Sequence, residues 1–247
     1  MTNTSIASGG ADASTAPLSL ISRLIGVITA PKATFQSIVA QPKWLGMLAL
    51  LCVLSAGLVG GFLLTQVGQQ AWLDAATAGG PFGREVTDQQ LAGMQRMAPF
   101  VGYFTMVSIF CFVPILYLVV SAILFAVFNA GMGGNATFKQ IFAVVVHSGV
   151  VGLLGQLFTV PMNYARGVMS SATNLTVLVP GIAETSFIGR LLGAIDIFLI
   201  WQLIVLAIGL AVLYRRRTQP IATTLFVIYG IIALVIATVR STLGGSN

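Results

Sequence analysis

The sequence predicts an all-α fold: an integral membrane bundle of five transmembrane helices, with amphipathic interfacial helices before the first span. Three observations carry this. Hydrophobic residues make up 57% of the 247 positions and charged residues only 7%, too few to clothe a surface in water. Five stretches, about 44–66, 99–129, 139–163, 187–214 and 220–239, each hold the roughly twenty mostly apolar residues that cross a hydrocarbon core about 30 Å thick. Basic residues also divide unevenly between the two sides. One side holds Arg23, Lys32, Lys43, Lys139, Arg215, Arg216 and Arg217 against Asp12 alone. On the other, Arg84, Arg96, Arg166, Arg190 and Arg240 are offset by Asp74, Glu85, Asp88 and Glu184. Short basic loops stay in the cytoplasm, so the N-terminus is expected inside and the C-terminus outside.

Residues 1–16 are small, polar and aperiodic, and are expected to form a disordered cytoplasmic tail. Residues 17–43 form the interfacial segment. There Leu20, Ile21, Leu24, Ile25 and Ile28 share one helical face, with Ser22 and Arg23 turned away from it. Pro31 opens a second short helix that carries Phe35, Ile38 and Val39, and Pro42 ends it. Both helices are expected on the cytoplasmic leaflet with Lys32 and Lys43 toward anionic headgroups. The membrane domain follows over 44–240, and 241–247 are an outer tail.

Between the first two spans, Thr87 can cap a short surface helix over Asp88–Met97, whose Leu91, Met94 and Met97 form its apolar side. Pro114 predicts a tilt or kink in the long second span. The turn "FNAGMGGNATFK" is not a nucleotide loop, because Phe138 and not glycine precedes Lys139. The two cysteines, Cys52 and Cys111, fall at different depths in separate spans and are not expected to pair.

The candidate intramembrane polar contacts are Asp196, His147 and Arg190. Asp196 sits in the apolar run of residues 187–214, about 27 Å along a helix from Tyr214, which places it beside the outer boundary. At that depth it is expected to hydrogen-bond a neighbouring helix. His147 is expected roughly 12 Å from the cytoplasmic edge, too far to meet Asp196, and to bond across to another helix. Ser148 follows His147, but adjacent helical positions diverge by about 100°, so no nucleophile–base pair forms. No catalytic residues, no metal ligands and no cofactor are expected, and no basic stretch has the interleaved aromatics of a nucleic-acid surface. Small residues give a clearer signal. Gly57 and Gly61, Gly149, Gly152 and Gly155, and Gly189 and Gly193 recur at spacings that let helix backbones approach closely.

The stretches "ISRLIGVITAPKATFQSIVAQPKW", "GGNATFKQIFAVVVHSGVVGLLGQLF" and "AIDIFLIWQLIVLAIGL", in that order and spacing, resemble the Yip1 domain family, and its bacterial membrane members in particular. The resemblance implies a polytopic membrane protein without known catalysis, residing in the bacterial inner (cytoplasmic) membrane. It places Asp196, Phe198 and Trp201 at the family's acid-aromatic-aromatic positions, with Trp201 as a packing residue. His147 and Ser148 stand where relatives often have Tyr-Ser. The Asp-Leu-Tyr-Gly-Pro motif of eukaryotic members, which are associated with prenylated Rab GTPases, is absent, so Rab binding is not expected. The function expected is that of a non-catalytic membrane scaffold or organiser. Its partners would be the lipid bilayer, anionic headgroups at the cytoplasmic face and other membrane or peripheral proteins, with homo-oligomerisation left open. The alternative is a small transporter or channel that uses Asp196, Arg190 and His147.

Overall fold

A computed structural model describes residues 18–77, 86–179, 181 and 186–243. The expected disordered tail, Asp12, Arg84, Glu85 and Glu184 lie outside the described residues. Among those described, five helices are long and apolar enough to cross a membrane: Leu45–Leu64, Asp88–Gly131, Phe138–Arg166, Ile197–Tyr214 and Thr218–Val239.

The chain begins with α1 (Leu20–Thr29) and α2 (Pro31–Ala40). Ser19 caps α1 by accepting the Ser22 N–H, and Pro31 opens α2 at the first-turn position, where its missing N–H costs nothing. Neither helix merely floats on the leaflet: α2 packs on the third and fourth spans and α1 on the third. Val27, Phe35 and Ile38 are fully buried there. The opposite side of α1 stays open, with Ile21 68% and Ile25 51% exposed.

Helix α3 (Leu45–Leu64) contains one wide turn at Ala56–Gly60 and stops at Thr65. The Thr65 hydroxyl accepts the Gly68 N–H at 3.0 Å and so starts α4 (Gln66–Thr77). Helix α5 (Asp88–Met97) has the expected start: the Thr87 hydroxyl accepts the Gln90 N–H while the Gln90 side chain accepts the Thr87 N–H. It buries none of its residues and runs through a tight turn at Ala98–Phe100 straight into α6 (Val101–Phe125), which passes Pro114 as one helix. The surface helix is therefore an extension of the second span.

Helix α7 (Phe138–Arg166) is the hub. Of its most apolar stretch 72% is buried, against 11% for the helix containing α6, which leaves α6 on the lipid-facing perimeter. Close approach to α7 needs its glycines. A side chain at Gly149 would run into the Tyr117 hydroxyl of α6 and Leu51 of α3, and one at Gly155 would meet Phe198 at 3.1 Å. Gly152 lies against Gln202. The first-span pair departs from expectation: Gly57 and Gly61 have open space beside them, and Gly60 makes the close contact, against Met106 and Gly102 of α6.

The fourth span also departs. Instead of one helix over 187–214, α8 (Phe187–Ala194) ends at extended Ile195, and α9 (Ile197–Tyr214) starts anew after Asp196. Helix α10 (Thr218–Leu243) closes the bundle against α9 and α8 and reaches three residues into the expected outer tail, over 241–243. Cys52 and Cys111 are both free thiols.

Candidate functional site

Asp196 caps a helix. Its backbone is extended, and Oδ1 accepts the Phe198 N–H at 2.8 Å and the Leu199 N–H at 3.3 Å, satisfying donors that the first turn of α9 leaves orphaned. Oδ2 accepts the Ser171 hydroxyl at 2.9 Å and the Thr173 hydroxyl as well. The backbones pair beside it: the Leu175 N–H donates to Ile195 O at 3.0 Å and the Ile197 N–H to Thr173 O at 3.2 Å. The carboxylate thus rivets the 171–175 loop to the head of α9. Tyr229 of α10 donates its hydroxyl to Ala194 O and ties in the fifth span. A side chain at Gly193 would come within 3.8 Å of Asn174 in the same junction, and Gly189 is buried with its N–H on the capping Ser186 hydroxyl at 3.0 Å.

The expectation that Asp196 lies inside a helical turn and bonds another helix is therefore corrected. Its bonds go to a loop and to its own helix start. Because Asp196 precedes α9, it shares no helical face with Trp201; that indole packs instead beside Phe198, 6.3 Å between ring centroids, and Phe198 against Phe158 at 6.1 Å.

His147 is fully buried on α7, and its Nδ1–H donates to Ala143 O at 2.7 Å. This bond stays within α7, which corrects the expected helix-to-helix bond. It also fixes the tautomer, leaving Nε2 as a buried lone pair that finds no hydrogen-bond partner among the described residues. Ser148 turns to its own Val144 O at 2.8 Å, so histidine and serine do not address each other. The Arg190 side chain lies outside the described residues. His147 and Asp196 belong to different depths, one in the packed core and the other at the rim opposite Tyr214. Among the described residues no group of three or more His, Cys, Asp or Glu could hold a metal ion.

At the other rim the basic residues do converge. Tyr214 ends α9, and Arg215 takes a left-handed backbone, φ 52°, as the helix unwinds. The Arg216 N–H returns to Ala211 O at 3.0 Å to close the helix end. Asn129, at the end of the second span, organises this corner. Its Nδ2 donates to Ala136 O at 2.7 Å and its Oδ1 accepts the Tyr214 hydroxyl at 2.8 Å, while Phe128 stacks on the Tyr214 ring. Arg216 is held by an Nη2 hydrogen bond to Met132 O at 2.7 Å.

Between this corner and α2 opens a cavity of about 880 Å³. Lys32, Arg215, Arg216 and Arg217 line it, with the polar side chains of Gln36, Gln140 and Thr218. Val39, Ile208 and Val212 form its apolar wall. Gln140 also donates to Val39 O at 3.3 Å, joining the start of α7 to α2 and fixing the cavity's near edge.

Arg23 belongs to the same rim but faces inward. It is 3% exposed, and its guanidinium donates to Leu18 O at 3.1 Å and Lys43 O at 3.3 Å. Burial lowers its pKa from the ordinary arginine value, yet an arginine stays charged, and the two carbonyls compensate that charge. The rim's basic residues were legible in the sequence. Gln36, Gln140 and Thr218, and the Ser171 and Thr173 partners of Asp196, were not, because their association depends on residues far apart in the chain.

The Yip1 domain family model matches residues 25–239. No curated protein and no solved structure matches the chain.

Proposed function

The chain belongs to the Yip1 domain family, and on that premise we propose that it is a non-catalytic membrane organiser that acts through its basic rim. It is a polytopic membrane protein. In this reading its N-terminus and basic rim face the cytoplasm, in the inner membrane of a bacterium, and contact anionic headgroups and peripheral or membrane proteins. The observation that carries the reading is how the polar groups are used. The Asp196 carboxylate accepts four hydrogen bonds from its own chain and His147 bonds its own helix. Lys32, Arg215, Arg216 and Arg217 instead remain exposed around an open cavity. Beside them α1 turns Ile21 and Ile25 outward. Exposed apolar side chains next to exposed cations suit a surface that meets lipid.

The rival reading makes Asp196, Arg190 and His147 a conduction path. Reconstituted protein separates the two. In liposomes the organiser reading expects solute and proton flux equal to that of protein-free vesicles. Flux above that background, abolished by Asp196→Asn or His147→Ala, would replace the organiser with a transporter.

A further inference from the structure

We propose that the cavity bounded by Lys32, Arg215, Arg216 and Arg217 is a specific site for the headgroup of a phospholipid that carries more than one phosphate. The inference rests on the organiser reading and narrows it from a charged surface to a single site.

Four cations reach this one concavity from separate segments, Lys32 from α2 and the three arginines from the α9–α10 turn. A bias toward basic loops accounts for the arginines being on this side; it gives no reason for a cavity into which α2 adds a lysine. Among the described residues no carboxylate lines the cavity, and the described acids, Asp74, Asp88 and Asp196, all lie toward the opposite end of the spans. Like charges this close repel unless a counter-anion sits among them. Arginine forks match phosphate oxygens two at a time, and basic pockets between spanning helices are suited to polyphosphate headgroups.

The rest of the lining points to a lipid as the source of that phosphate. Val39, Ile208 and Val212 give the cavity an apolar wall that a free phosphate would leave wet and that glycerol and the first acyl carbons would cover. A volume of about 880 Å³ also suits a large ligand, since small-molecule sites span roughly 300–1,000 Å³. Arg215 supplies a further clue. It is the one non-glycine residue with positive φ among the described residues, at a helix-end position where glycine is the usual occupant. The chain accepts a strained backbone there and gains a guanidinium at the cavity mouth.

The full chain is purified in mild detergent, mixed with cardiolipin or phosphatidylcholine, and the lipids it retains are counted by native mass spectrometry. Wild type is expected to hold one cardiolipin with at least tenfold preference over phosphatidylcholine. Lys32→Gln, Arg217→Gln and Arg215→Gly should each weaken retention about tenfold. Arg215→Gly relieves the left-handed backbone, so its fold is secure and its loss of binding reports the side chain. Lys139→Gln, on the same rim but outside the cavity lining, should change retention less than twofold. Equal losses for Lys139→Gln and the cavity variants would overturn the site while leaving a diffuse attraction of the rim for anionic lipid. Pyrophosphate binding as tightly as cardiolipin, with the same pattern of losses, would overturn the lipid as its source.

Discussion

Asp196 accepts a hydrogen bond from Ser171 at 2.9 Å, which joins the head of α9 to a loop 25 residues earlier in the chain. Within the same carboxylate, Oδ1 caps the helix and Oδ2 holds the loop. Replacing it with alanine removes both. The cap alone is worth about 1 kcal/mol, and two hydroxyls lose a charged acceptor at roughly 1.5–3 kcal/mol each before they rebond to water. Asp196→Ala is therefore expected to lower the melting temperature in detergent by several degrees and to open residues 171–175 to protease. Asp196→Asn, which still caps, should lose less. Unchanged protease resistance in Asp196→Ala would remove the rivet.

Glycines in different settings should respond in opposite directions. Gly149→Ala drives a methyl into Tyr117 and Leu51, and overpacking of this kind costs about 1–3 kcal/mol. Gly57→Ala meets open space, and alanine is favoured over glycine in a helix interior by about 0.5–1 kcal/mol. Thermal unfolding of the two variants should move to opposite sides of wild type. A destabilised Gly57→Ala would indicate that a neighbouring chain packs on that face.

Arg23 joins α1 to the approach of α3 through Leu18 O and Lys43 O. Charge-assisted bonds of this kind contribute about 1.5–3 kcal/mol each. Arg23→Met keeps most of the buried stem and loses both bonds, so α1 should detach before the bundle melts. Hydrogen exchange over residues 20–29 reads this directly, with faster exchange expected there and none over α7.

His147 gives the contrasting case. Its Nε2 lone pair is buried without a partner, a cost of about 1–3 kcal/mol that an apolar side chain of similar size avoids. His147→Leu is expected to hold or raise the melting temperature, with cardiolipin retention unchanged. A loss of stability beyond about 2 kcal/mol would mean that the ring has a role its bond to Ala143 does not reveal.

The five spans were readable because hydropathy sums over twenty residues and needs no partner. The break at Ile195 was not, since both residues flanking Asp196 are isoleucines and a hydropathy window passes straight over it. The available clue was an Asp placed before an apolar helix, which is a capping pattern. Its other partners, Ser171 and Thr173, lie beyond any local window. The four-residue spacing of Gly57 and Gly61 predicts a close helix approach without telling contacts within one chain from contacts between chains, and within this chain both glycines face open space. The wide turn at Ala56–Gly60 shifts the helical phase, and Gly60 takes the contact with α6. The periodicity of α1 points Arg23 away from Ile21 and Ile25, and in the fold it is buried while they are exposed. That this direction leads into the protein, toward two backbone carbonyls, depends on how α1 docks and is invisible in α1 alone.

Electron paramagnetic resonance with spin-labelled lipids tests the basic rim most directly, in bilayers holding the full chain. Labelled phosphatidylglycerol is expected to be immobilised in preference to labelled phosphatidylcholine. That preference should collapse when Lys32, Arg215, Arg216 and Arg217 are all replaced by glutamine. A chain that immobilises both labels equally, or a replaced chain that keeps the wild-type preference, would contradict this role of the rim.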